Sequence, residues 1–158
     1  MGNCCSEGTL QDEAIYQSST DENTPFVSYE NIQKKVKILR VIDGDTVDIA
    51  MANEWNQIFK YRVRLLGIDT PEKKPLKSNP DREQEIAAAK QSSQAMINKL
   101  QENNNIVTIL LSKPDKYGRL LGTLYDKNGE DINQWMIQQG HATVYFGQTK
   151  KSFSDAYL

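Results

Sequence analysis

Two carboxylate-bearing turns, each at the end of an alternating, strand-like run, constrain this chain more than any other feature. The stretch from Val41 to Glu72 reads VIDGDTVDIAMANEWNQIFKYRVRLLGIDTPE. Asp43-Gly44 is a strong hairpin signal, because both residues tolerate the backbone angles of a tight turn. Thr46 to Met51 alternates as the returning strand, and Ile58 to Leu66 forms the next one after a turn at Asn53-Glu54-Trp55-Asn56. On that third strand Phe59, Tyr61, Val63 and Leu65 share one face, and Arg62 and Arg64 share the other. The second carboxylate turn follows directly as Gly67-Ile68-Asp69-Thr70-Pro71-Glu72.

Asp45 and Asp69 each follow a strand, where a rigid scaffold can hold a carboxylate to the tolerance that a metal site needs. With a main-chain carbonyl such as that of Thr70 they make an oxygen-only set suited to Ca²⁺ or Mg²⁺. Glu72 is then a spare carboxylate able to take a proton from water. Arg62, Arg64 and Arg119 are guanidinium candidates for binding a phosphate. Tyr117 can stack on a base, and Lys116, with Lys73, Lys74 and Lys77, can follow a phosphate backbone. The same residue types also suit ordinary surface turns, and spacing alone does not bring Asp45 and Asp69 together.

After a loop holding Pro71, Pro75 and Pro80, Asp81 reads as the cap of a helix, with Gln84 three positions on. Ile86, Ala89, Ser93, Met96 or Ile97, and Leu100 follow helical spacing. Asn103-Asn104 ends this helix, and Ile106–Leu111 is a fourth strand. Pro114–Gly118 turns into a fifth strand over Arg119–Tyr125. Asp131 caps a short helix closed by Gly140, and Ala142–Phe146 is a last extended piece. Three strands, a helix, two strands and a helix, with no helix after each strand, predict a β-rich α+β fold. Its form is a five-stranded Greek-key barrel of the oligonucleotide-binding kind with two helices.

With 158 residues the chain is one domain by size. The net charge of −2 conceals an asymmetry. All 19 basic residues lie after residue 30, whereas Glu7, Asp12, Glu13, Asp21, Glu22 and Glu30 lie within residues 1–30. The reading is therefore a disordered acidic tether over 1–30, a mildly basic folded body over 31–147 and a short tail over 148–158. The single histidine, His141, argues against a catalytic triad or a histidine metal site, and the absence of cysteine from the body argues against zinc. The two cysteines, adjacent at the N-terminus, point to a reducing compartment. Met1-Gly2-Asn3-Cys4-Cys5-Ser6 fits the pattern for myristoylation of Gly2, with Cys4 and Cys5 placed for palmitoylation. With no signal peptide and no membrane-spanning run, this predicts a peripheral, lipid-anchored protein on the cytoplasmic face of a membrane in a eukaryotic cell or its virus.

The segments Ile42–Val47, Arg64–Glu72, Asp115–Arg119 and Asn133–Gly140 together resemble the staphylococcal nuclease, or thermonuclease-like, family. That resemblance implies a five-stranded oligonucleotide-binding barrel and a Ca²⁺-dependent endonuclease that hydrolyses DNA and RNA to leave 3′-phosphate ends. It makes Asp45, Asp69 and the Thr70 carbonyl metal ligands and Glu72 the general base. It also selects Arg64 over Arg62 and pairs Arg64 with Arg119 as clamps on the phosphate. It adds Tyr145 as a substrate contact, with Phe146 leaving the register open, beside Lys116 and Tyr117 read above from residue type. The family's long basic C-terminal helix has only Gly147–Leu158 as its counterpart here. The expected partners are DNA and RNA, single-stranded or locally open, and a membrane, for a monomer. The alternative is a catalytically silent, membrane-tethered binding module on the same barrel.

Overall fold

The computed structural model describes residues 7–158, so the acylation candidates Gly2, Cys4 and Cys5 lie outside the described residues. Strands β1 (Gln33–Asp43), β2 (Thr46–Ala52) and β3 (Ile58–Leu65) form the expected antiparallel meander. β5 (Ile106–Ser112) and β6 (Leu120–Tyr125) form a second antiparallel pair. Antiparallel pairing of β1 with β5 and parallel pairing of β3 with β6 close the barrel in the order β1-β2-β3-β6-β5. β1 bends sharply enough to serve both neighbours because its register with β2 shifts twice, between Ile38 and Arg40 and between Val41 and Asp43.

Alternation along each strand fills the interior. Val36 and Ile38, Val47, Ile49 and Met51, Val63 and Leu65, Val107, Ile109 and Leu111, and Leu124 are all buried. Each such side chain contributes about 1.5–3 kcal/mol by leaving water. The inward face of β3 differs at its start from the expectation. Phe59 is exposed and Tyr61 only half-buried, because the hairpin projects past the end of the core. Tyr61 meets Tyr29 edge to face instead, with ring centroids 5.7 Å apart.

Helix α2 (Arg82–Gln101) covers one end of the barrel with Ala89, Met96 and Leu100. Met96 rather than Ile97 takes the core position, and the first turn buries Glu85 in place of Ile86. Asp81 stands at the N-cap without a side-chain capping bond. The carboxamide oxygen of Asn79 instead accepts from the Asp81 N–H, which turns the chain into the helix. Asn104 and Asn105, at φ of 54° and 58°, then reverse the chain into β5.

Helix α3 (Ile132–Gln138) is capped as expected, Asp131 accepting from the Gln134 N–H at 2.9 Å. It inserts Ile132, Met136 and the fully buried Asn133. The Asn133 amide donates to the carbonyls of Leu66 and Gly122 and accepts from the Leu124 N–H, tying β6 to the end of β3.

Two elements depart from the predicted tether and tail. Residues Glu7–Ser18 form helix α1, although every residue from Asp12 to Thr24 is exposed. Four of its twelve residues are Glu or Gln, which form helices without tertiary support more readily than most residues. After Gly147 the chain folds back and forms α4 (Phe153–Tyr157), with Phe153 buried. The described residues thus hold four helices, two more than expected.

Candidate active site

Strand β2 and the far end of β3 place the first carboxylate. The β1–β2 turn is held to β3 by the Leu65 N–H, which donates to the Asp45 carbonyl at 2.7 Å. Gly44 allows this turn to lie directly on α2 and on Thr70 in the loop before it. A Cβ there would collide with the Ser92 side chain and come within 2.9 Å of the Thr70 methyl. Asp45 is consequently only 4% exposed. Its carboxylate accepts from the Thr46 hydroxyl at 2.9 Å and from the Thr70 N–H at 3.2 Å. Burial pushes the Asp45 carboxyl above its usual range, while the Arg64 guanidinium opposes the shift.

The second carboxylate rests on a small sheet that the sequence pattern did not reveal. β4 (Ile68–Asp69) pairs antiparallel with β7 (Thr143–Val144), setting Asp69 opposite Thr143. The Tyr157 hydroxyl donates to the Asp69 carbonyl at 3.0 Å, and burial pushes that phenol up to about 12. Gly67, at φ +78°, makes the tight link from β3 to β4, with the Phe146 ring against it.

Arg64 joins the two carboxylates. One guanidinium nitrogen lies 3.0 Å from Asp45 Oδ2, and another lies 2.7 Å from Asp69 Oδ1. Burial works against the Arg64 charge, but Asp45 and Asp69 hold it above the ordinary guanidinium range. The two turns that spacing could not connect therefore converge on one group. Arg62 behaves differently. Its guanidinium forms a two-pronged pair with Asp48 at 2.8 and 3.0 Å on the outer surface of the barrel, and its side chain is 63% exposed. Asp43 turns aside to Lys73, 3.2 Å away.

Glu72 sits at the rim with its side chain 62% exposed. Its backbone is fixed from behind, the N–H donating to Glu85 Oε1 at 3.1 Å. Glu85 Oε2 accepts from the Asn79 amide at 2.6 Å, so a buried helical carboxylate organises the proline-rich loop. Lys150, from the segment after Gly147, bridges Asp69 at 2.9 Å and Glu72 at 3.3 Å.

The opposite wall is the β5–β6 turn. Asp115 accepts from the N–H groups of Tyr117 and Arg119, each at 2.9 Å, and from Arg119 Nε at 2.5 Å. Burial pushes its carboxyl up, but these donors outweigh burial and leave it below the usual range. Arg119 remains 54% exposed, 5.6 Å from the Tyr117 ring centroid. Tyr145 presents its ring to Arg64 at 5.9 Å and to Lys150 at 5.8 Å, while Phe146 packs over Gly67.

Asp45, Arg64, Thr70, Glu72, Tyr117, Arg119, Tyr145 and Lys150 line one open cleft of about 420 Å³. Lys116 borders an adjoining hollow with Arg64, Arg119 and Tyr145, whereas Lys74 and Lys77 stand in solvent. Among the described residues no three His, Cys, Asp or Glu side chains form a metal-holding group. Asp45 lines this cleft and Asp69 the neighbouring hollow under the C-terminal segment, and the two carboxylates meet at Arg64. That set fits a hard ion such as Ca²⁺, whose coordination tolerates flexible geometry and several waters.

Sequence reasoning missed Lys150, Tyr157, Glu85 and Asn79. One signal was available, since Ser152-Phe153-Ser154-Asp155 has the spacing of a helix capping box. Ser152 Oγ does accept from the Asp155 N–H, at 3.2 Å. Glu85 carries no such signal.

Comparison with known proteins places this architecture. An uncharacterised endonuclease of Escherichia coli is 32% identical over 111 residues, 69% of this chain and 60% of that protein. The endonuclease YhcR of Bacillus subtilis is 28% identical over 108 residues, 68% of this chain but 8% of its own length. A probable endonuclease of Uncinocarpus reesii, LCL3, is 32% identical over 100 residues, 61% of this chain and 31% of that protein. The chain thus spans about three fifths of the length of the E. coli relative and less of the others. The family described as "Staphylococcal nuclease homologue" matches residues 62–157, from β3 through the cleft to α4. With a match over more than half its length, the chain belongs to the family of staphylococcal nuclease homologues.

Proposed function

We propose that this protein is a Ca²⁺-dependent endonuclease that hydrolyses phosphodiester bonds of DNA and RNA without strong sequence preference. The observation that carries the reading is the convergence of Asp45 and Asp69 on Arg64, with Glu72 and Arg119 on the rim of the same cleft. Asp45, Asp69 and the Thr70 carbonyl would hold the Ca²⁺. When bound, this ion would draw charge from a phosphate oxygen and orient water.

The chain's own residues account for the rest. Glu72, exposed at the rim, accepts a proton from the water whose oxygen attacks phosphorus. Arg64, on the cleft wall and paired with both carboxylates, donates to the non-bridging oxygens as negative charge builds on them. Arg119 does the same from the opposite wall. The bond from phosphorus to the 5′-oxygen breaks, giving a 3′-phosphate, and the departing 5′-oxygen takes a proton from solvent to become the 5′-hydroxyl. Tyr145 and Tyr117 offer ring faces to unstacked bases and Lys116 a charge to the flanking backbone, which favours single-stranded or locally open substrate.

Cleavage of single-stranded DNA with Ca²⁺, with EDTA and with Glu72→Gln tests the reading. Turnover with Ca²⁺ alone is the expected result. Equal turnover in all three rejects the mechanism, and binding without turnover favours the non-catalytic module.

The proposal extends to placement in the cell. Myristoylation of Gly2 and palmitoylation of Cys4 and Cys5 would anchor the protein on the cytoplasmic side of a membrane. Among the described residues no helix is long and apolar enough to cross one. Incorporation of labelled myristate, abolished by Gly2→Ala, is the expected outcome.

A further inference from the structure

At the end of the β2–β3 hairpin remote from the cleft, the surface changes character. Trp55 and Ile58 are strongly exposed, and Phe59 is about half exposed. Beside them the outer face of β1–β2–β3 carries two cross-strand rows set by the register. One row is Lys37, Ala50 and Lys60, and the next is Arg40, Asp48 and Arg62. Four cations thus surround one carboxylate, and Asp48 is held below its usual range by Arg62 first, with Lys60 and Arg40 adding to the effect. Glu54 is the one carboxylate at the hairpin tip.

We infer that this face seats the protein on an anionic phospholipid surface. Its chemistry is that of an interfacial site. Trp55, Ile58 and Phe59 supply apolar and aromatic groups that enter the headgroup layer. Lys37, Arg40, Lys60 and Arg62 meet the negative surface, each residue near it contributing on the order of a fivefold gain in partition. A purely nucleic-acid track would leave the exposed aliphatic Ile58 unexplained.

The path of the chain points to the same surface. Val27 and Tyr29 line a hollow of about 840 Å³ with Trp55, Phe59 and Tyr61, so the N-terminal segment enters the barrel beside the hairpin tip. A segment that begins with an acylation pattern therefore arrives where the apolar residues are exposed. Asp12, Glu13, Asp21 and Glu22 of that segment are all exposed.

The orientation follows from the register. Ala52 pairs with Ile58 at the seated end and Thr46 with Arg64 at the cleft. Six residues of strand separate them, roughly 20 Å. The Arg40–Asp48–Arg62 row lies two residues, roughly 7 Å, from the Thr46–Arg64 pair, so the seat centres on Trp55 and Ile58 and the cleft opens just beyond its edge.

Flotation of the unacylated full chain with phosphatidylcholine vesicles, with and without phosphatidylserine, tests the inference apart from both nuclease activity and acylation. The expected result is phosphatidylserine-dependent partition that falls tenfold or more in Lys37→Glu/Lys60→Glu. It should fall severalfold in Trp55→Ser/Ile58→Ser and stay unchanged in the control Lys90→Glu/Lys127→Glu. Indole emission should shift to the blue on vesicles in the wild type and not in Trp55→Phe. Absence of partition, or equal partition by all variants, overturns the inference. It is also overturned if the Lys37/Lys60 variant keeps its vesicle partition but loses affinity for single-stranded DNA in EDTA, which marks a nucleic-acid track. Unchanged vesicle partition with a dimer lost in Trp55→Ser/Ile58→Ser marks a contact between copies instead.

Discussion

On one wall of the cleft Asp45 is almost wholly buried, and Arg64, with its side chain 15% exposed, is tied to both Asp45 and Asp69. On the other, Arg119 is more than half exposed, paired with Asp115 and set over the Tyr117 ring. The first wall is assembled from β1–β2, β3, β4 and the C-terminal segment. The second is a single turn, closed by Gly118 at φ +77°. Both present a guanidinium to the same space, yet removing one disturbs a charge network inside the fold and removing the other disturbs solvent. The difference teaches that a shared proposed role in catalysis does not imply a shared role in stability.

Arg64→Ala is the most severe test of this contrast. It leaves two neighbouring carboxylates, one of them buried, without their common partner. Unfolding free energy should fall by about 3 kcal/mol in urea, and turnover should fall by about 10²–10³-fold. Arg119→Ala should lose turnover to a similar degree, about 10²–10³-fold. Its unfolding free energy should stay within about 0.5 kcal/mol of wild type, as for most exposed substitutions. Equal destabilisation by the two variants would abolish the distinction between the walls.

Asp115→Ala sharpens the second half of the comparison. It frees the Arg119 guanidinium and removes the acceptor for two N–H groups of the turn. Arg119 then samples many positions, and turnover should drop about tenfold through lost orientation. Ca²⁺ affinity, measured by calorimetry, should be unchanged because the acidic wall is untouched. A loss of Ca²⁺ affinity would mean that the walls are coupled.

The same contrast governs what the sequence could reveal. Alternation in Thr46–Met51 and the Asp43-Gly44 signal sufficed for the first hairpin, because both are local. Asp131 was legible as a cap because its bond to the Gln134 N–H spans three residues. The Asp115 turn was legible for the same reason. The acidic wall depends on contacts that no local pattern carries. β4 and β7 are two residues each, too short for a period, and they meet across more than 70 residues of chain. Glu85 lies where helical spacing favours Ile86, and it is buried because the loop needs acceptors for the Glu72 N–H and the Asn79 amide. The apolar and charged patterns therefore specified the barrel and its capping helices, while the choice of Arg64 over Arg62 came from resemblance. In the structure the two arginines differ in place, Arg64 meeting Asp45 and Asp69 beside the cleft and Arg62 meeting Asp48 on the outer face.

Lys150 gives the smallest expected effect and the finest division within the acidic wall. Its ammonium lies between Asp69 and Glu72, where a bound cation would compete for Asp69. Burial lowers its affinity for a proton, but Asp69 and Glu72 outweigh burial and raise it. Because the side chain is 46% exposed, solvent screens much of the attraction. Lys150→Ala should therefore tighten Ca²⁺ binding by about fivefold at low salt, equivalent to about 1 kcal/mol, and by less as ionic strength rises. Arg64, deeper and doubly paired, sets the spacing of the carboxylates, so its removal should not tighten binding in the same way. Calorimetric Ca²⁺ titration of both variants without nucleic acid separates the two. If Lys150→Ala binds Ca²⁺ less tightly than wild type, the C-terminal segment braces the acidic wall rather than competing for it, and Lys150 belongs with Arg64 as part of the frame.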